Sequence, residues 1–351
     1  MKILRAKVPL RVSFNGGGTD VDPYCEKFGG IVFSATINKY VHASLEKRID
    51  NKIKIISLDY NQVVKFNIKK ELAITGNLKL VKAIINHFKP YKKGFNLNIY
   101  CDAPTGSGLG TSGSLGSMLV MLLSKYKKKK TSKAKAAEIA LKIERENVKI
   151  NGGKQDQYAG IYGGFNILNF KKGYKCKVKK FNLEKNFIDE LNYNSLLIYT
   201  KKTHYSNDLL THQIERYKNN TNNTIEALHE MKKINMKLIN LFKKKKIYEI
   251  GKFLDYSWNL KKKMNPKVTT SSIDNLYNEL KKLGIAGGKI LGAGGGGYML
   301  IILPFYLKNK AMKVIKKFKM EISDFAFEKS GIKIWEVNKN LINIKNKKYF
   351  L

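Results

Sequence analysis

Between Pro104 and Gly113 the chain reads Pro-Thr-Gly-Ser-Gly-Leu-Gly-Thr-Ser-Gly, a loop set between a period-2 apolar segment and a Leu/Met-rich one. Glycine lets a backbone turn tightly and approach an anion, and the free N–H groups at a helix start, at the positive end of its dipole, favour phosphate. Gly106, Ser107, Gly108, Leu109, Gly110, Thr111, Ser112 and Gly113 are therefore read as a cradle for nucleotide phosphates. The hydroxyls of Thr111 and Ser112 suit a phosphate oxygen or Mg2+. Two carboxylates follow. Glu144 shares a helical face with Ala137, Ala140, Leu141 and Val148, and a carboxylate on an apolar stripe is costly unless it is paired or holds a metal. Asp156 stands twelve residues further on, in Gly152-Gly-Lys-Gln-Asp-Gln157, just past the expected end of that helix at Gly152 and Gly153.

Other phosphate loops fit less well. Gly108 to Gly113 formally matches GxGxxG, but the ribose-binding acid expected roughly 20 residues later is missing among Lys127 to Lys135. No GxxxxGK[ST] occurs, nor the HRD and DFG of protein kinases.

Pro104 to Gly113 instead resembles the signature loop of the GHMP kinases, which include galactokinase, homoserine kinase and mevalonate kinase, with Thr111 in place of the commoner serine. Two more segments match in the family's order. Arg11-Val-Ser-Phe-Asn-Gly-Gly-Gly-Thr-Asp20 is similar to the N-terminal sugar-recognition segment, and Gly292-Ala-Gly-Gly-Gly-Gly297 to the C-terminal glycine motif. The resemblance implies an ATP-dependent kinase with Mg2+ held by Ser112 and Glu144, Asp156 acting on the acceptor hydroxyl, and Arg11 keeping Asp156 ionised. Lys154 is a weaker candidate for assisting. Residues 15–18 lack the Gly-Glu-His of galactokinase. The Gly-Gly-Gly-Thr-Asp form, with Ile143-Glu-Arg145 and Gly153 to Ala159, looks most like the D-glycero-D-manno-heptose 7-phosphate kinases, the fucose kinase domain being similar. That likeness implies phosphorylation of an anomeric hydroxyl on a route to nucleotide-activated heptose for surface polysaccharide. Ser13, Gly17, Gly18, Thr19, Asp20 and Gln157 are the expected sugar contacts. Lys202 and His204, in Lys201-Lys-Thr-His-Tyr-Ser206, are the expected seat of a phosphate already on the sugar.

The elements that must hold these residues follow from periodicity. Strands are predicted over 3–14, 30–47, 52–58, 62–68 and 95–101, then helices over 114–126 and 132–148, strands over 165–170 and 174–181, and a boundary in 184–193. Beyond it come a strand at 195–199, long helices, a glycine-rich strand turn at 287–300, a helix near 307–320 and strands around 324–337. The fold class is α+β: by resemblance a two-domain GHMP-kinase-like architecture, with a strand-rich domain at 1–185 carrying the phosphate loop and a ferredoxin-like α/β domain at 186–351.

The 351 residues carry 67 basic against 27 acidic side chains, a net charge of +40. Lysine dominates and is spread over the whole chain. The runs 127–130, 243–246 and 261–263 sit at ends or polar sides of predicted helices, without the interleaved aromatics of a base-stacking platform. A solvated lysine-rich surface is the expected reading, with ATP and a sugar phosphate as partners, no nucleic acid and no membrane, and a homodimer left open. A basic nucleic-acid module would explain the charge but not the three ordered motifs, and a silent nucleotide sensor would not need both carboxylates. Cys25, Cys101 and Cys176 form no CxxC pair, so a disulfide framework and a zinc site are not indicated. No apolar run approaches the roughly 18 residues of a membrane span, and the cytoplasm is the expected compartment.

Overall fold

The computed structural model describes residues 2–202 and 206–338. The first sheet begins with β1 (Lys2–Asn15), then α1 (Tyr24–Phe28) and β2 (Gly30–Lys47), which pairs antiparallel with β1. Register slips at Pro9/Leu10, where proline has no N–H to give, and again at Ser13/Asn15, where β1 leaves the ladder for the glycine loop at 16–18. β3 (Lys52–Ser57) and β4 (Gln62–Asn67) form a hairpin; α2 (Lys79–His87) then leads to β5 (Phe95–Cys101), which lies between β2 and β3. Phe95, Leu97 and Ile99 of β5 are buried while Asn98 and Tyr100 face solvent, as its alternation predicts.

α3 (Thr111–Tyr126) is buried along most of its length, through Met118, Leu119, Val120, Leu122 and Leu123, and packs against α4 (Lys133–Lys142), α5 (Gln155–Tyr162) and β1. Truncating one of these leucines to alanine removes about 2–5 kcal/mol, so α3 is a rigid mount for the loop that precedes it. The helix expected over 132–148 is interrupted: α4 passes into one π turn at Ile143–Asn147, closed by Val148 N donating to Ile143 O. Such turns often mark functional sites. β6 (Asn166–Phe170) and β7 (Cys176–Lys180) complete the chain's first pass through this sheet.

The stretch 184–193, read as a boundary from sequence, is a helix, α6 (Lys185–Tyr193), burying Phe187, Ile188 and Leu191. β8 (Ser195–Tyr199) follows, then α7 (Ser206–Lys218), α8 (Thr224–Lys233), α9 (Asn235–Lys243), α10 (Ile247–Met264) and α11 (Ser271–Lys282). β9 (Gly287–Ile290), β10 (Tyr298–Ile302), α12 (Lys308–Lys317) and β11 (Glu321–Ser323) complete a second, antiparallel sheet in the order β11-β8-β10-β9, the ferredoxin-like arrangement. It has its own core around Ile198, Trp258, Leu276 and Ile301. The last two strands do not stay with it. β12 (Phe327–Glu328) pairs with β2, and β13 (Lys333–Asn338) covers the free edge of β1, so strands of the first sheet flank the second unit on both sides in sequence.

Candidate functional site

Gly106, Gly108 and Gly110 all adopt positive φ, at 74°, 83° and 80°, and Gly110 is the N-cap of α3. The loop is held from behind by the C-terminal glycine turn. A Cβ on Gly292 would lie 2.5 Å from Gly108 Cα, and Tyr298 N donates to Ser107 O at 2.9 Å, so the two motifs interlock backbone to backbone. Arg11 N donates to Leu109 O at 3.1 Å. Leu109 is fully buried and anchors the loop, Ser107 is buried, and Ser112 lies exposed in the first turn of α3.

Asp156 stands in the first turn of α5, rather than in a loop beyond the preceding helix. Arg11 Nε donates to its Oδ1 at 2.8 Å, and Nη2 reaches the same oxygen at 2.7 Å; Nη1 donates to Gly108 O. Among the described residues Oδ2 carries no protein hydrogen bond. The Arg11 side chain is 4% exposed and that of Asp156 25%, so a buried guanidinium fixes a carboxylate that still faces the cleft. Gly110 and Gly113 leave no room for side chains against it: a Cβ at either would lie 2.9 Å from Asp156 Cγ or 2.5 Å from its Cβ.

Glu144 sits in the π turn, buried; Gln157 Nε2 donates to its Oε2 at 2.5 Å and Arg145 Nη1 to the same oxygen at 3.0 Å. Burial pushes its carboxyl above the usual range, with the Arg145 guanidinium pulling the other way and Asp156 adding to the rise. Both protein hydrogen bonds fall on Oε2, which leaves Oε1 as an oxygen donor for a cation whose charge would reverse the cost of burial. Among the described residues no three His, Cys, Asp or Glu side chains gather into a metal centre. A Mg2+ here would rest on Glu144, the Ser112 hydroxyl and phosphate oxygens, a donor set that suits it.

The acceptor loop departs from the sequence expectation in detail. Thr19 is buried and its hydroxyl is spent on the loop itself, donating to Gly16 O at 2.7 Å and accepting from Ile31 N at 3.1 Å. Asp20, fully buried, accepts from Gly18 N, Gln155 N and Gln155 Nε2 at 3.0–3.1 Å, which pins the start of α5 and thereby Asp156. Burial and the nearby Asp156 push its carboxyl upward. Expected as sugar ligands, these two side chains hold the loop in shape, because a buried hydroxyl or carboxylate must find its partners within the protein. Gln157 is likewise buried and committed to Glu144, and Ser13 lies buried on β1 opposite Ser34. Gly17 and Gly18 remain partly open, with Gln213 of α7 facing Gly18. Lys154 is fully buried and turned away from the transfer site, binding Asp22 at 2.6 Å, Glu26 at 3.1 Å and Gly173 O at 2.9 Å. The Lys202 side chain is exposed while its carbonyl accepts from Gly297 N at 2.7 Å; His204 lies outside the described residues.

Two buried cations escaped the sequence reading. Lys261, counted there among solvated lysines, is a buried residue of α10, and Lys289 lies within β9. The signal existed: Lys261 follows Leu254 and Ser257 by seven and four residues, the same stripe logic that singled out Glu144. Of the cysteines, Cys25 is buried, its thiol pushed up to about 12 by burial, and all three are free. No helix among the described residues is long and apolar enough to cross a membrane.

Residues 78–164 match the GHMP kinases N terminal domain and residues 238–316 the GHMP kinases C terminal family. The D-glycero-alpha-D-manno-heptose 7-phosphate kinase of Campylobacter jejuni is 32% identical, covering 96% of this chain and 100% of the relative. The crystal structure of a D-glycero-D-manno-heptose 1-phosphate kinase from Bacteroides thetaiotaomicron superposes with a TM-score of 0.79 at 26% identity, over 96% of this chain and 100% of that one. Lactococcus lactis galactokinase, complexed with galactose, shares the fold, with a TM-score of 0.75 at 20% identity over 94% of this chain and 95% of that one.

Proposed function

The chain belongs to the GHMP kinases, as an ATP-dependent sugar kinase of that type, and from that premise we propose that it phosphorylates the anomeric hydroxyl of D-glycero-D-manno-heptose 7-phosphate. The product would be the 1,7-bisphosphate, made in the cytoplasm on a route to nucleotide-activated heptose for surface polysaccharide. The full-length likeness to the Campylobacter jejuni enzyme supports the sugar. The observation that carries the chemistry is the Arg11–Asp156 pair set directly against the phosphate loop.

Phosphoryl transfer asks the protein for alignment and charge neutralisation more than for covalent help. The 106–113 loop offers backbone N–H groups to the nucleotide phosphates, and the cleft beside it, lined by Ser57, Asp59, Asn77, Leu78, Thr111 and Ser112, suits the nucleoside. Ser112 and Glu144 would hold Mg2+, which when bound would supply positive charge against the negative charge of the nucleotide phosphates. Asp156 Oδ2 receives or orients the proton of the attacking hydroxyl. Arg11, bonded to Oδ1 and Gly108 O, holds that carboxylate at fixed distance from the loop and adds positive charge where the phosphoryl group passes. Gly17 and Gly18 leave room for the sugar against backbone, and Gln157 and Asp20 act by positioning Glu144 and Asp156.

The test is ADP release with ATP, Mg2+ and a panel of free sugars and sugar 6- and 7-phosphates. Turnover with the manno-heptose 7-phosphate alone is expected. Turnover confined to an unphosphorylated sugar such as fucose would keep the kinase and discard the substrate.

A further inference from the structure

Lys261 and Lys289 lie where the two halves of the site meet, 6% and 3% exposed. Neighbouring lysines find carboxylates, Lys262 with Asp274 and Lys281 with Asp255, but among the described residues these two form no ion pair. An ammonium has three N–H donors. Among the described residues Lys261 has one acceptor, the Gly292 carbonyl, and Lys289 one, the Phe14 carbonyl at 3.5 Å. Buried charge so sparsely matched is costly.

Their surroundings say what would match it. α10 lays Ser257, Lys261 and Met264, at i, i+4 and i+7, along the acceptor loop: Ser257 Oγ donates to Asn15 Oδ1 at 2.7 Å, and Met264 Cε stands 3.6 Å from where a Gly18 Cβ would be. Lys261 falls between these two contacts and reaches Gly292, which packs on Gly108 of the phosphate loop. Lys289 approaches from β9 at Phe14, one residue before the loop. The charge of Arg11 on β1 repels both, and the Asp20 carboxylate, which favours the charged form of Lys261, is already bonded to three N–H groups.

We propose that Lys261 and Lys289 together receive a phosphate dianion between the acceptor loop and the 292–297 turn, a second anion site beside the 106–113 loop. The sources of that dianion rest on the kinase reading above: the phosphate already on the acceptor, or the phosphoryl group on its way from ATP. Either fills the unmatched N–H donors. It also restores charge to groups that burial and mutual repulsion discharge, Lys289 being pushed down to about 7 by burial and Arg11, and Lys261 well below the usual lysine range by burial, Lys289 and Arg11.

Calorimetric titration of inorganic phosphate into protein loaded with ADP and Mg2+, which fill the phosphate loop, tests this without turnover. Wild type is expected to bind phosphate, and Lys261→Met and Lys289→Met each to weaken it roughly 10- to 100-fold. Lys261→Gln and Lys289→Gln serve where a Met variant melts out of the native fold. Steady-state kinetics separate the sources. A raised KM for the phosphorylated acceptor alone assigns the site to the acceptor's phosphate, and a lowered kcat with both KM values kept assigns it to the transferring group. Folded variants with unchanged phosphate affinity, kcat and KM would overturn the proposal, and so would a fall in melting temperature as their sole effect. An inactive wild type that still binds phosphate through these lysines would defeat the substrate assignment and leave the anion site standing.

Discussion

Gly110→Ala places one methyl group against the Asp156 carboxylate, the proposed proton acceptor. Gly110 has φ 80°, where an L-residue is disfavoured by about 1–2 kcal/mol. Its Cβ would stand 2.9 Å from Asp156 Cγ, against 3.4–4 Å for ordinary contact. Arg11 and the buried start of α5 hold Asp156 from the other side, so the carboxylate must retreat by about 0.5–1 Å or break its ion pair. A misplacement of that size at a reacting group is worth roughly 10–100-fold in rate. Gly76→Ala is the matched control, with φ 70° and open space around the new methyl group: it carries the backbone cost but stands clear of Asp156 and the 106–113 loop. The assay is kcat from ADP release at saturating ATP and acceptor, with thermal melts on both variants. Equal losses of stability with a fall in kcat confined to Gly110→Ala are expected. A folded Gly110→Ala enzyme turning over within about threefold of wild type would refute the placement of Asp156 at the transfer point.

Asp156→Asn keeps the shape and removes the proton acceptor, so kcat should drop roughly 10²–10⁴-fold while ATP binding, followed by calorimetry, stays near wild type. Glu144→Gln should raise the Mg2+ concentration for half-maximal rate at least tenfold or so, without loss of thermal stability, since burial already disfavours the charged form of Glu144; a large drop in stability would point to a structural ion pair with Arg145 instead. Lys289 is protonated in the unfolded chain up to its ordinary 10.5 but in the fold only below about 7, so its cost is fully present below pH 7 and is relieved as pH rises toward 10.5. Lys289→Met should therefore be more stable than wild type at pH 7, by up to about 4 kcal/mol, with the gap closing by pH 10 in chemical denaturation; a gap that does not change with pH would contradict the buried, discharged lysine.

The strands and α3 were readable because they bury one face against a core whose period shows in the residues: β5 alternates, and α3 is apolar nearly all round. The glycine turns of the 106–113 loop and the buried place of Glu144 were readable because positive-φ glycine and a carboxylate on an apolar stripe are locally expensive choices. What no local pattern specifies is the partner far away in sequence. Whether Thr19 and Asp20 meet a sugar or their own loop depends on Ile31 and Gln155, and whether Lys154 reaches the transfer site depends on Asp22 and Glu26, 128 residues away in the latter case. The return of β13 to β1 is a long-range pairing that no local pattern specifies. α6 carries Phe187, Ile188 and Leu191 at helical spacing, but its polar residues on the other face give 184–193 the composition of a boundary.

Phosphorus NMR of the reaction with ATP, Mg2+ and D-glycero-D-manno-heptose 7-phosphate tests most directly whether Asp156 presents an anomeric hydroxyl to the loop. A new resonance coupled to the anomeric proton, absent with Asp156→Asn, is the expected result. A new phosphate on any other carbon, or none with every acceptor tried, would contradict it.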